Sequence, residues 1–109
     1  MAEIAAISGC AVHTGMETLA SAWAALARGA PDAAVPLVRQ AMGVLDELEF
    51  PLLQGRAYDV LGRALAGDDP AAAAEAFQEA VARFESCGAT WRRDRSLAEL
   101  DRIQGARNP

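Results

Sequence analysis

Apolar residues along this chain recur at intervals of three and four, the spacing of a helix that buries one face. Between Met16 and Arg28, the residues Leu19, Ala22, Trp23 and Leu26 form one such stripe, and Gly29 follows as a C-terminal cap would. A second helix is predicted from Asp32 to Leu48, with Ala34, Val38, Ala41, Leu45 and Leu48 on its face. Pro36 lies near enough to its start to cost less than a proline at mid-helix. Phe50-Pro51 forces a turn, because a residue before proline avoids helical backbone, and Pro51 then suits a first helical position. A third helix over 51–66 carries Leu53, Ala57, Tyr58, Leu61 and Leu65. Gly67-Asp68-Asp69-Pro70 is the clearest punctuation, with Gly67 expected as a left-handed cap, Asp69 as N-cap and Pro70 as first helical residue. A fourth helix over 70–86 presents Ala73, Phe77, Ala80, Val81 and Phe84, and Gly88 breaks it. A fifth, from Ala89 to Ile103, presents Trp91, Leu97, Leu100 and Ile103.

Nothing alternates convincingly at period two, so the expected class is all-α. Connections of two to five residues make neighbouring helices antiparallel. Residues 1–15 contain the small-residue breaks Ser8-Gly9 and Gly15; they leave a frayed helix or an extended lead-in open. The domain is expected over 16–104, with 105–109 as a tail.

The helical stripes also echo one another at a spacing of 39 residues. That shift carries Ala34 onto Ala73, Val38 onto Phe77, Ala41 onto Ala80, Leu45 onto Phe84, Leu26 onto Leu65 and Leu61 onto Leu100. Such a period marks one supersecondary unit stacked on a copy of itself. The small residues let helix axes approach, and the large ones fill the space between. The expected architecture is antiparallel αα-hairpins stacked as a short solenoid of about five helices. Stacked hairpins present a surface, which argues against an enzyme.

Composition narrows the partners. The 109 residues carry a net charge of −5, unfavourable for general binding to nucleic acid or anionic membrane. All ten basic residues are arginine, which points to the coding bias of a high-GC bacterial genome. Cys10 and Cys87 lie far apart and make no disulfide framework, so a reduced, cytoplasmic protein is expected. The apolar stretch 4–12 is too short to cross a membrane. Ile7-Ser8-Gly9-Cys10 resembles a lipoprotein cleavage box, but no basic residue precedes Arg28.

The stretches Leu26-Ala27-Arg28-Gly29, Ala33-Ala34-Val35-Pro36-Leu37, Leu61-Gly62-Arg63-Ala64-Leu65-Ala66-Gly67-Asp68 and Ala80-Val81-Ala82-Arg83-Phe84-Glu85 resemble tetratricopeptide-repeat helices. The particular likeness is to the MalT-like helical region of bacterial LuxR-type and related ATP-binding transcriptional regulators. Tyr58, Leu61, Gly62, Ala73, Phe77 and Ala80 stand at the signature positions; Leu19, Ala22, Trp23, Ala34, Val38 and Ala41 form a weaker first copy. The resemblance covers roughly 16–103 and implies a non-catalytic protein-interaction module, a piece of or accessory to such a regulator. Alternatively, it implies the regulator's effector-sensing segment, with a small ligand. The chain has neither a helix-turn-helix of the LuxR kind nor a GxxxxGK[ST] phosphate loop.

Stacked hairpins put the first helix of each pair on a concave wall. The candidate groove residues are then Arg56, Asp59 and Arg63 on the third helix, with Arg95 and Arg102 on the fifth, where Arg56 aligns with Arg95 and Arg63 with Arg102. The first helix would add Glu17, Ala20, Ala24 and Arg28. Arginine's fork suits a carboxylate, so the partner would be a protein or peptide, acidic in character. The competing expectation is that these arginines pair with Asp59, Asp94, Glu99 or Asp101 and solvate the surface. Trp23 and Trp91 are expected as packing residues, Tyr58 likewise with its hydroxyl at the groove edge, and Cys87 as a small apolar plug. Cys10 and His13 are too few for a metal, and no cofactor is expected. The apolar residues of the last helix, with nothing following to cover them, suggest a homodimer.

Overall fold

The computed structural model describes backbone for residues 2–107 and side chains for 13–105. Five helices follow in order: α1 (Ala2–Ala27), α2 (Pro31–Glu47), α3 (Pro51–Leu65), α4 (Pro70–Ser86) and α5 (Thr90–Arg107). Each packs on its sequence neighbour, and α1 also touches α3. The assembly is elongated, 56 × 30 × 18 Å, with a radius of gyration of 14.3 Å against about 13 Å for a globule of this length. No described helix is long and apolar enough to cross a membrane.

Local chemistry sets the helix ends. α2, α3 and α4 each begin with proline after an extended residue: Ala30, Phe50 and Asp69 have φ of −119°, −111° and −141°. The Asp69 side chain accepts from Ala72 N at 3.1 Å, the expected cap. Gly29 (φ +77°) and Gly88 (φ +74°) turn the chain after α1 and α4. In both turns the next residue bonds back to the helix, Ala30 N to Ala25 O at 2.9 Å and Ala89 N to Phe84 O at 2.8 Å. Gly67 departs from expectation, since its φ is not left-handed. Ala66 stays right-handed and Asp69 N donates to Leu65 O at 2.8 Å, so the end of α3 needs no left-handed residue. After α2 that conformation falls on Glu49 (φ +47°).

The repeat is visible in the burial. Ala34, Val38, Ala41 and Leu45 are sealed from solvent on α2, and so are Ala73, Phe77, Ala80 and Phe84 on α4. α3 meets α4 through two glycines a heptad apart. A Cβ on Gly55 would lie 2.6 Å from the Phe84 ring, and one on Gly62 would lie 2.7 Å from the Phe77 ring. The missing side chains are what let these rings lie close against α3.

Two helices run beyond their expected ends. Residues 2–15, which the sequence leaves open to a helix or an extended lead-in, are helical and continue α1. The alanines around Ser8-Gly9 offset the glycine's poor helix propensity, and Gly15 is buried where α1 closes on Leu45 and Val44. α5 runs through Arg107, so most of the expected tail is helical; residues 108–109 lie outside the described residues. The apolar face of α5 is largely covered within the chain. Leu100 and Ile103 are buried with Ala73, Ala74 and Phe77, Leu97 is half-buried, and Trp91 is exposed.

Candidate binding groove

α1, α3 and α5 share one wall and line a cavity of about 370 Å³. Cross-helix contacts fix their register. Ser96 donates to Asp59 Oδ1 at 2.8 Å, and Arg63 reaches Glu99 at 3.6 Å, so residue n of α3 faces roughly n + 36 of α5. On the other side Arg63 lies over the Trp23 ring, 5.8 Å from its centroid. Met16, Leu19 and Trp23 of α1 therefore stand opposite Arg56, Asp59 and Arg63 of α3.

All five candidate residues reach this wall, in two chemically different halves. In one half Arg63 and Arg102 are neutralised. Arg63 Nε donates to Asp59 Oδ2 at 2.8 Å, and Arg102 binds Glu99 at 2.7 Å. These two flank a shallower hollow with Trp23, Leu26, Ala27 and Glu99. Here the arginines pair with their neighbours, as the competing expectation had it. In the other half no described carboxylate lies within ion-pair distance of Arg56, Arg92 or Arg95. All three line the more enclosed cavity, whose floor is Leu53, Val60 and Phe84. Burial, and then the neighbouring Arg92 charge, hold the Arg56 guanidinium below its ordinary range.

Helix dipoles reinforce that half. α3 and α5 both start there, and neither has an acidic residue in its first turn. The positive ends of two helices thus stand beside three uncompensated arginines, an arrangement that disfavours cations and attracts an anion.

Several side chains sit elsewhere than expected. Trp23 and Trp91 are not core residues: 48% and 64% of their surfaces are exposed. On α1 the buried line runs through Leu19, Ala22 and Ala25, which turns Trp23 out toward the groove. Trp91 lies in the first turn of α5 with Arg95 and Arg92 stacked on it, at 4.9 and 5.7 Å. Tyr58 faces away from the groove, under Arg83 at 5.0 Å. Burial first, then Asp46 and Glu79 against the opposing Arg83, push its phenol upward. Cys87 is exposed rather than a plug, because the chain is already turning toward Gly88. Of Glu17, Ala20, Ala24 and Arg28, only Ala20 lines the cavity. Cys10 lies outside the described side chains, and no cluster of three metal-ligating groups occurs among the described residues.

Sequence reasoning missed Ser96 and Arg92. Ser96 is fully buried at the position that the 39-residue shift aligns with Ala57, so its hydroxyl is the polar exception in an apolar row. Arg92 aligns with Leu53, and a repeat comparison seeking arginine against arginine passes over it. Comparison with protein-family models, with characterised proteins and with solved structures returned no match.

Proposed function

We propose that this chain is a non-catalytic protein-interaction module of tetratricopeptide-like build, a part of or accessory to a bacterial regulator, which holds an acidic partner in the α1/α3/α5 groove. One observation carries this: Arg56, Arg92 and Arg95 converge without a carboxylate partner among the described residues, in a protein whose net charge is −5. A site that concentrates positive charge against the sign of the molecule is completed by an anion from outside. The likeness in build is supported by the matching burial of Ala34, Val38, Ala41 and Leu45 with their counterparts 39 residues on.

The test is anisotropy of fluorescein-labelled, glutamate-rich peptides titrated with the protein. Binding is expected to weaken with salt and to fall at least about tenfold in R56E and in R95E, since each removes a charge-assisted contact. R102A should bind like the wild type, because that guanidinium already serves Glu99. Absence of binding, or indifference to R56E and R95E, refutes the proposal.

A second reading is that the cavity takes a small anionic effector, as in the sensing segment of a LuxR-type regulator. Its volume, about 370 Å³, favours that, being in the range of small-ligand pockets. A thermal-shift screen of small carboxylates separates the two, because only the second expects a rise in melting temperature without any peptide.

A further inference from the structure

The charged rim is only part of the cavity; its remaining surface is apolar. Met16 is 46% exposed and Trp23 48%, and both border the cavity whose floor is Leu53, Val60 and Phe84. Phe84 contributes to that floor because Gly55 has no side chain to cover its ring. Two large apolar side chains left open beside each other on α1 are unusual on an acidic surface unless something covers them. Trp23 stands against Arg63, and both apolar side chains line the same cavity as Arg56, Arg92 and Arg95. Carboxylate and apolar recognition therefore share one cavity. The far half of the groove offers apolar surface but no free guanidinium, since its arginines are engaged by Asp59 and Glu99.

Resting on the proposed acidic partner, we infer that the occupant is an internal peptide segment carrying one large apolar side chain flanked by carboxylates. The apolar group inserts between Met16, Trp23 and the Leu53–Phe84 floor, while the carboxylates meet Arg56, Arg92 and Arg95. An acid-only tract would leave the apolar wall wet. A purely apolar segment would bury three uncompensated guanidiniums, which is strongly unfavourable. The cavity is large enough for one aromatic or leucine side chain with its flanking backbone, and too small for a whole helix.

The test uses two acetylated, amidated peptides, so that no terminal carboxylate is present. One has phenylalanine between pairs of glutamates; the other has serine in its place. W91F keeps an aromatic ring beneath Arg92 and Arg95 and, with its affinity for a glutamate-rich peptide checked against the wild type, leaves Trp23 as the sole tryptophan and a direct reporter. In that background the phenylalanine peptide should bind at least about tenfold more tightly than the serine peptide and shift Trp23 emission to shorter wavelength, as burial of one aromatic group implies. W23A, whose helical content and melting temperature are checked against the wild type, should erase the preference and keep the salt-dependent affinity. Equal affinities for the two peptides, still lost in R56E, would overturn this inference and leave the acidic-partner proposal standing. No binding of either peptide overturns both.

Discussion

Gly62→Ala should destabilise this protein, although alanine is the better helix former. In the interior of α3 the exchange gains about 1 kcal/mol of helix propensity. Against that, the new Cβ would sit 2.7–2.8 Å from three atoms of the Phe77 ring. Carbon atoms rest at about 3.5–4.0 Å, so ring or helix must retreat by the better part of an ångström. Phe77 has no free side, since it is fully buried against Ala73, Leu100 and Ile103. Overpacking of that kind costs about 1–3 kcal/mol, and because the displaced ring also separates α3 from α4 the cost here falls in the upper part of that range, about 2–3 kcal/mol. The clash therefore outweighs the propensity gain. The expected net loss is about 1–2 kcal/mol, at roughly 4–8 °C of melting temperature per kcal/mol for a domain of this size. Gly43→Ala is the matched control: Gly43 lies within α2, and nothing stands within 4 Å of its would-be Cβ, so this exchange should raise stability by about 0.5–1 kcal/mol. Urea titration followed by circular dichroism reads both. A further check is F77L in the G62A background: the shorter side chain relieves the clash, so the double variant should lose less than the sum of the two singles. A G62A protein as stable as the wild type, or fully additive singles, would refute the packing argument.

Two further outcomes follow from the polar contacts. Asp59→Ala strands the fully buried Ser96 hydroxyl and frees one side of Arg63, so it should cost about 1–3 kcal/mol, more than Ser96→Ala, which removes the buried hydroxyl with its bond; equal losses in urea titration would contradict the network. Tyr58, the single tyrosine, should form tyrosinate above its ordinary value of 10.0 because burial and then Asp46 favour the neutral phenol. A raised value in the folded state means that the native protein keeps its proton longer than the unfolded chain. Stability from this group is thus complete below pH 10 and is lost as pH rises through the raised value; an absorbance titration that matches free tyrosine would count against it.

What sequence alone determined was the set of helices and the residues sealed between them. Periodicity placed all five, and the 39-residue echo picked out Ala34, Val38, Ala41 and Leu45 with their counterparts, every one buried. Those features are local or repeated: a stripe at helical spacing must find cover, and proline suits the first position of a helix wherever one begins. Hairpin stacking put Arg56, Asp59, Arg63, Arg95 and Arg102 on one face, and the side chains line the two hollows there. Tertiary structure alone decided what those side chains do there. A stripe has two flanks, and which flank faces the groove depends on how the helix is rolled against its neighbours; that roll turned Trp23 outward and Tyr58 away. Whether an arginine is free or engaged depends on carboxylates delivered by another helix. Asp59 and Glu99 occupy Arg63 and Arg102, while the register of α3 against α5 leaves Arg56 beside Arg92 and Arg95 with an apolar floor beneath them.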